Sequence, residues 1–227
     1  MRRLILALDA LPGLREAAAA ELDVAAAATL AELAGVHGVR LGVTEDLKPV
    51  RPEDVLEARR ASRVLELRMP PSQAVVKVAL EARPDLVLLG SDGPLDLRSR
   101  NVPLGPIVRA LGEAGIPVAV RIAPHAEALK AVHAEDVRSV EFFTGRVVNL
   151  PGAERAAELE RLSDAVKLAA KLGISIGLGG GLGYGNLPEV LAAAPAAESV
   201  TVGRAAVARA ILVGLDRAIR DLRTLVE

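Results

Sequence analysis

Short apolar runs alternate with longer amphipathic stretches along the whole chain. Residues 4–8 form a continuous apolar run of the kind a buried strand shows. After a loop, the apolar spacing over residues 24–34 predicts a helix, closed by Gly35, and residues 39–43 form the next run. Pro52, Glu53 and Asp54 open a second helix, with proline in its first turn and acids near its positive end. The same alternation continues through a strand at 64–67, a helix at 72–82 and a strand at 86–89. Beyond an irregular stretch come a helix at 107–114, ending at Gly115, and a strand at 118–122. The second half repeats the rhythm with helices at about 126–133, 153–172, 187–194 and 205–225. Strands at 140–143, 174–178 and 199–202 lie between them.

This pattern holds eight candidate strands, each followed by a helical pattern. The strands are continuously apolar, as in a parallel sheet covered on both faces. Eight such units in 227 residues point to an α/β fold, a TIM (β/α)8 barrel, forming a single domain over residues 1–227. A doubly wound open sheet is the alternative. No linker or low-complexity run marks a domain boundary.

Composition narrows the chemistry. The chain is 51% hydrophobic but only 1% aromatic, with no Cys, no Trp and three His. Thiolate chemistry and disulfides are excluded, and stacking on single-stranded nucleic acid has almost no platform. Twenty-eight basic residues against 29 acidic ones leave a net charge of −1. No basic excess exists for nucleic acid or an anionic membrane, so neither is expected as a partner. The Met1-Arg2-Arg3 start and the apolar run after it faintly mimic a signal peptide, but Asp9 interrupts it. No apolar stretch reaches the ~18 residues of a spanning helix. A soluble, cytoplasmic protein is expected, with no metal and no cofactor.

In a barrel of this kind, chemistry sits at the C-terminal strand ends. Asp9 follows the first strand; Thr44, Glu45 and Asp46 follow the second; Ser91 and Asp92 follow the fourth. Glu66 and Glu141 stand inside apolar strand runs, where a carboxylate is costly to bury without a partner. They are therefore either acid–base groups facing the barrel mouth or partners of inward-facing arginines such as Arg121 or Arg68. The run from Gly177 to Asn186 holds six glycines, and the eighth strand ends in Gly203-Arg204 at a helix start. These two loops match the phosphate cup that many such barrels build after strands seven and eight, with Gly180, Gly181, Gly203 and Arg204 as its members. His37 and His133 precede strands, and only His125 falls at the catalytic end. Tyr184 either flanks a ligand or covers the rim. Arg98 and Arg100 either reach over the mouth or form a solvated loop.

The order of these motifs resembles the pyridoxine 5′-phosphate synthase family over nearly the whole chain. The resemblance rests on Leu8-Asp9 with Leu14-Arg15, Ala34-Gly35 through Val39, Glu45-Asp46, and Leu65-Glu66. It continues with Glu141 followed by Thr144-Gly145, Gly179 through Asn186, and Gly203 through Leu215. It implies a homo-oligomeric transferase of vitamin B6 biosynthesis, condensing 3-amino-2-oxopropyl phosphate with 1-deoxy-D-xylulose 5-phosphate. It also implies acid–base roles at Glu66 and Glu141, a substrate contact at Asp9, and phosphate on the amides of Gly181 and Gly203 with Arg204 beside them. The family's histidines are absent: the strand-two position is Gly42, the strand-seven loop position Gly180, and two others are Ala10 and Phe143. The family's strand-one Asn falls at Ala7, and contacts to the second substrate fall at Ala18, Thr44 and Pro49.

Three readings follow. The first is a divergent synthase with a retained phosphate cup and impaired or altered chemistry. The second is a catalytically silent relative that binds a phosphorylated metabolite or an assembly partner. The third is another phosphate-barrel isomerase or epimerase using Asp9 and Glu66. Glycine for histidine at positions 42 and 180 is expected to enlarge the pocket.

Overall fold

In a computed structural model, the apolar runs become eight parallel strands. They are β1 (Arg3–Ala7), β2 (Gly38–Gly42), β3 (Leu65–Met69), β4 (Leu86–Leu89), β5 (Val118–Ile122), β6 (Ser139–Phe143), β7 (Ser175–Gly179) and β8 (Ser199–Val202). Each pairs with the next in chain order, and β8 returns to β1 with Leu4 opposite Val200. The sheet is thus a closed barrel, and the open-sheet alternative is excluded. The structure describes residues 1–18, 23–97 and 104–227. Arg98, Ser99 and Arg100 lie outside the described residues.

Among the described residues the helices are α1 (Ala10–Ala18), α2 (Val24–Ala34), α3 (Pro52–Ala61), α4 (Gln73–Ala82), α5 (Leu104–Glu113) and α6 (Ala126–Ala134). There follow α7 (Gly145–Asn149), α8 (Gly152–Lys171), α9 (Leu187–Ala193), α10 (Arg204–Val213) and α11 (Leu215–Val226). Local chemistry explains several ends. Asp23 caps α2 by accepting from the amides of Ala25 and Ala26, and Gly35 closes that helix at φ +101°. Ser72 caps α4 through the Ala74 amide.

Three features depart from the sequence reading. Helix α1 occupies part of the stretch expected to be a loop and runs through Pro12; proline in a first turn removes no intrahelical hydrogen bond. The short α7 follows β6 directly. The expected closing helix at 205–225 is two helices, α10 and α11, broken at Gly214 with φ +80° and ψ 156°.

Alternate strand residues face two environments. Leu4, Leu6, Val39, Leu41, Leu65 and Leu67 pack against the helices and are fully or almost fully buried. The opposite face, inside the barrel, carries the polar side chains: Arg40, Glu66, Arg121, Glu141 and Thr201 are all buried. That division puts nearly all the apolar stabilisation outside the barrel wall and leaves the interior for charge. No helix among the described residues is long and apolar enough to cross a membrane.

Candidate active site

The floor of the site follows from strand register. Arg40 on β2 lies opposite Glu66 on β3, and Arg121 on β5 lies opposite Glu141 on β6. Arg40 Nε donates to Glu66 Oε2 at 2.9 Å, and Arg121 Nε donates to Glu141 Oε1 at 2.8 Å. A further hydrogen bond, from Arg40 Nη1 to Glu141 Oε2, joins the two pairs. Thr201 Oγ1 on β8 also donates to Glu141 Oε2, at 3.3 Å, and Arg121 Nη1 donates to the Ser91 carbonyl at 2.8 Å.

Arg40 is 3% exposed and Glu141 2%, so these charges have left water. An isolated ion there would be prohibitively costly; two guanidinium and two carboxylate groups with shared hydrogen bonds are tolerable. Burial by itself pushes the Glu141 carboxyl up, but Arg40 and Arg121 outweigh it and hold the pKa at about 2. For Arg40, burial favours loss of the proton, and Glu141 and Glu66 more than reverse that. Glu141 is therefore a fixed anion at neutral pH.

Above this floor, Arg68 from β3 reaches toward the mouth. Its Nη2 donates to Asp9 at 3.0 Å and its Nη1 to Asp92 at 2.7 Å. Asp9 also accepts the backbone N–H of Gly42. Asp9 is thus held from two sides by groups of this chain.

The loops after β7 and β8 complete the rim. Gly180 and Gly181 have φ +103° and +74°, conformations that glycine adopts without strain. The loop is braced by Thr144 Oγ1, which donates to the Gly180 carbonyl at 2.6 Å, and by Asn186 Nδ2, which donates to the Gly181 carbonyl at 3.1 Å. The amides of Gly181 and Leu182 donate to no group among the described residues. Gly203 is the N-cap of α10, and Arg204 is its first residue. A helix N-terminus beside free loop amides is an arrangement suited to an anion.

These elements surround a cavity of about 500 Å³, a size suited to a small metabolite. Asp9, Gly180, Gly181, Gly203 and Arg204 all line it. Glu66 and Glu141 do not; Arg40, Arg121 and Thr201 line it in front of them. Of Asp9 and Glu66, the pair expected for an isomerase, only Asp9 lines the cavity, and each is bound to a different arginine. No histidine lines the cavity. His37 accepts the Leu4 amide at the opposite end of β1, His125 is exposed at the start of α6, and His133 at its end contacts Arg138. Tyr184 belongs to the rim's support: its hydroxyl donates to the Ala218 carbonyl at 2.8 Å and its ring lies under Arg209. Sequence reading missed Arg40, whose signal was a lone cation in an otherwise apolar strand run.

The family model described as "Pyridoxal phosphate biosynthesis protein PdxJ" matches residues 4–227. The chain belongs to the PdxJ family. A pyridoxine 5′-phosphate synthase of Syntrophobacter fumaroxidans (strain DSM 10017 / MPOB) is 34% identical over 237 residues, covering 100% of this chain and 99% of the relative. One from Synechococcus sp. (strain JA-2-3B'a(2-13)) is 36% identical over 213 residues, covering 89% of each. Among solved structures, thiamine phosphate pyrophosphorylase from Pyrococcus furiosus superimposes with a TM-score of 0.65 at 16% identity, over 99% of this chain and 95% of that one. Phosphoribosyl anthranilate isomerase from Thermococcus kodakaraensis gives a TM-score of 0.64 at 15% identity, over 100% and 99%. At such identities these structures speak for the barrel alone.

For a PdxJ-family chain, Gly42 and Gly180 are the telling positions, and the structure corrects the expectation of an enlarged pocket there. A Cβ built on Gly42 would lie 2.5 Å from Arg68 Nη2 and 3.0 Å from its Cζ. One built on Gly180 would lie 2.5 Å from ring carbons of Phe143. The same ring stands over Gly145, where a Cβ would come within 2.3 Å of it. The space beside each glycine is thus taken by another side chain of this chain, a guanidinium at Gly42 and an aromatic ring at Gly180.

Proposed function

We propose that this chain is a divergent pyridoxine 5′-phosphate synthase relative that binds a phosphorylated small molecule and has lost efficient ring-forming chemistry. The observation that carries this reading is the cavity floor: guanidinium groups of Arg40 and Arg121 face the ligand space, and no histidine does. In this reading Glu66 and Glu141 are counter-charges holding those arginines, and Asp9 holds Arg68. Phosphate sits on the amides of Gly180, Gly181 and Gly203, with the N-terminus of α10 and the Arg204 side chain adding positive potential. A cytoplasmic homo-oligomer, as the family resemblance implies, is part of this reading. Leu33 on α2 and Ile211 and Leu212 on α10 are exposed apolar residues available for contact between copies.

Each positioned acid or base contributes ~10²–10⁴-fold in rate, so losing two corresponds to ~10⁴-fold or more. The test is an assay of the purified protein with 3-amino-2-oxopropyl phosphate and 1-deoxy-D-xylulose 5-phosphate, beside one of the named synthases. Binding of a phosphate ester with turnover at least ~10⁴-fold below the synthase is expected. Pyridoxine 5′-phosphate formed at a comparable rate would overturn the reading.

A further inference from the structure

Arg68 has capacity that the reading above leaves unused. Two of the five N–H donors of its guanidinium are engaged, one by Asp9 and one by Asp92; the others have no partner among the described residues. The two partners differ. Asp9 is partly buried and doubly held, by Arg68 and by the Gly42 amide. The Asp92 side chain is 98% exposed on a bend after β4, so its pairing with Arg68 is nearly at the strength of a surface ion pair. Arg68 itself is only 13% exposed and lines the same cavity as Gly181, Gly203 and Arg204.

We propose that Arg68 is a specificity-determining residue that takes a carboxylate of the ligand, with Asp92 holding that place in exchange. The ligand class is a short-chain acid carrying a phosphate ester at one end and a carboxylate at the other. The carboxylate is favoured because both present partners of this guanidinium are carboxylates, which its planar fork matches bidentately. Gly42 is what makes room for the fork, since any larger residue there would collide with it. The exchange also conserves charge: Arg40 and Arg121 are balanced by Glu66 and Glu141, Arg68 stays paired with Asp9, and a ligand carboxylate replaces the Asp92 carboxylate one for one.

The inference rests on the phosphate-cup reading, and calorimetry with defined probes separates the two. The probes are 2-phosphoglycolate, 3-phosphoglycerate and 4-phosphoerythronate, each against the phosphate ester whose carboxylate is replaced by a hydroxymethyl group. Wild type is expected to bind at least one of the acids about tenfold more tightly than its neutral-ended partner. In Arg68→Gln that ratio falls to about one. In Asp92→Asn, which removes the competitor, it rises two- to fivefold. Esters bound with no preference for the acid in wild type, or a preference that survives Arg68→Gln, would overturn the role of Arg68 and leave the cup intact. If no phosphate ester binds wild type, the cup and this inference both fall. Should Arg68→Gln not fold, the Asp92→Asn ratio decides, and an unchanged ratio counts against the proposal.

Discussion

Arg40 on β2 and Glu141 on β6 stand 101 positions apart in the chain and share a hydrogen bond across the barrel interior. Through it the Arg40–Glu66 and Arg121–Glu141 pairs become one network reaching from β2 to β8. Glu141 is the hub, since it accepts from Arg40, Arg121 and Thr201.

Glu141→Gln leaves two buried guanidinium groups with one carboxylate between them. Breaking one member of a buried ion network typically costs 3–5 kcal/mol, and a loss of about that size is expected in urea unfolding. A loss below about 1 kcal/mol would mean that the arginines find other partners.

The same group sets an acid limit. Glu141 titrates near 4.5 ordinarily and at about 2 when folded, so the unfolded chain takes up its proton first as pH falls. Its contribution is therefore complete above about pH 4.5 and is lost as pH drops toward 2. The full contribution is on the order of 3 kcal/mol. Stability measured from pH 7 down to 2 should fall steeply in that window, and the Glu141→Gln variant should show a flatter limb.

Gly42→His meets the Arg68 guanidinium and is expected to cost about 1–3 kcal/mol by overpacking. Adding Arg68→Ala clears that space, so the double variant should be more stable than the sum of the singles. Gly180 behaves differently. Phe143→Ala would remove the ring above it, but φ +103° remains unfavourable for any side chain, so Gly180→His should stay destabilised in the Phe143→Ala background. Thermal unfolding of the single and double variants reads both cycles.

Tyr184→Phe removes the hydrogen bond that ties the strand-seven loop to α11 while keeping the ring under Arg209. A loss of about 1 kcal/mol in stability is expected, with phosphate-ester affinity changed less than twofold. A large change in affinity would place the hydroxyl in the ligand site.

Much of the scaffold was legible in the chain because its signals are local. Continuous apolar runs specify strands, Gly35 and Ser72 mark helix ends, and the glycines around Gly180, Gly181 and Gly203 mark the loops that line the cavity. The break at Gly214 was less visible, since residues on both sides favour helix and only the conformation of one glycine separates them. Arg40 was hidden for another reason. Its neighbours Val39 and Leu41 make the run look uniformly buried, and its partner Glu66 is 26 positions away.

By itself, then, the sequence determined the eightfold repeat, the places of the strands to within two residues and the positions of the glycine loops, because each depends on residues close together in the chain. Only the tertiary structure decided what the polar residues do. Barrel closure sets the register that puts Arg40 beside Glu66, Arg121 beside Glu141 and Arg68 over Gly42. In a buried interior those non-local neighbours determine whether a carboxylate is a free base or a fixed counter-charge, and whether a glycine leaves a hole or a place for another side chain.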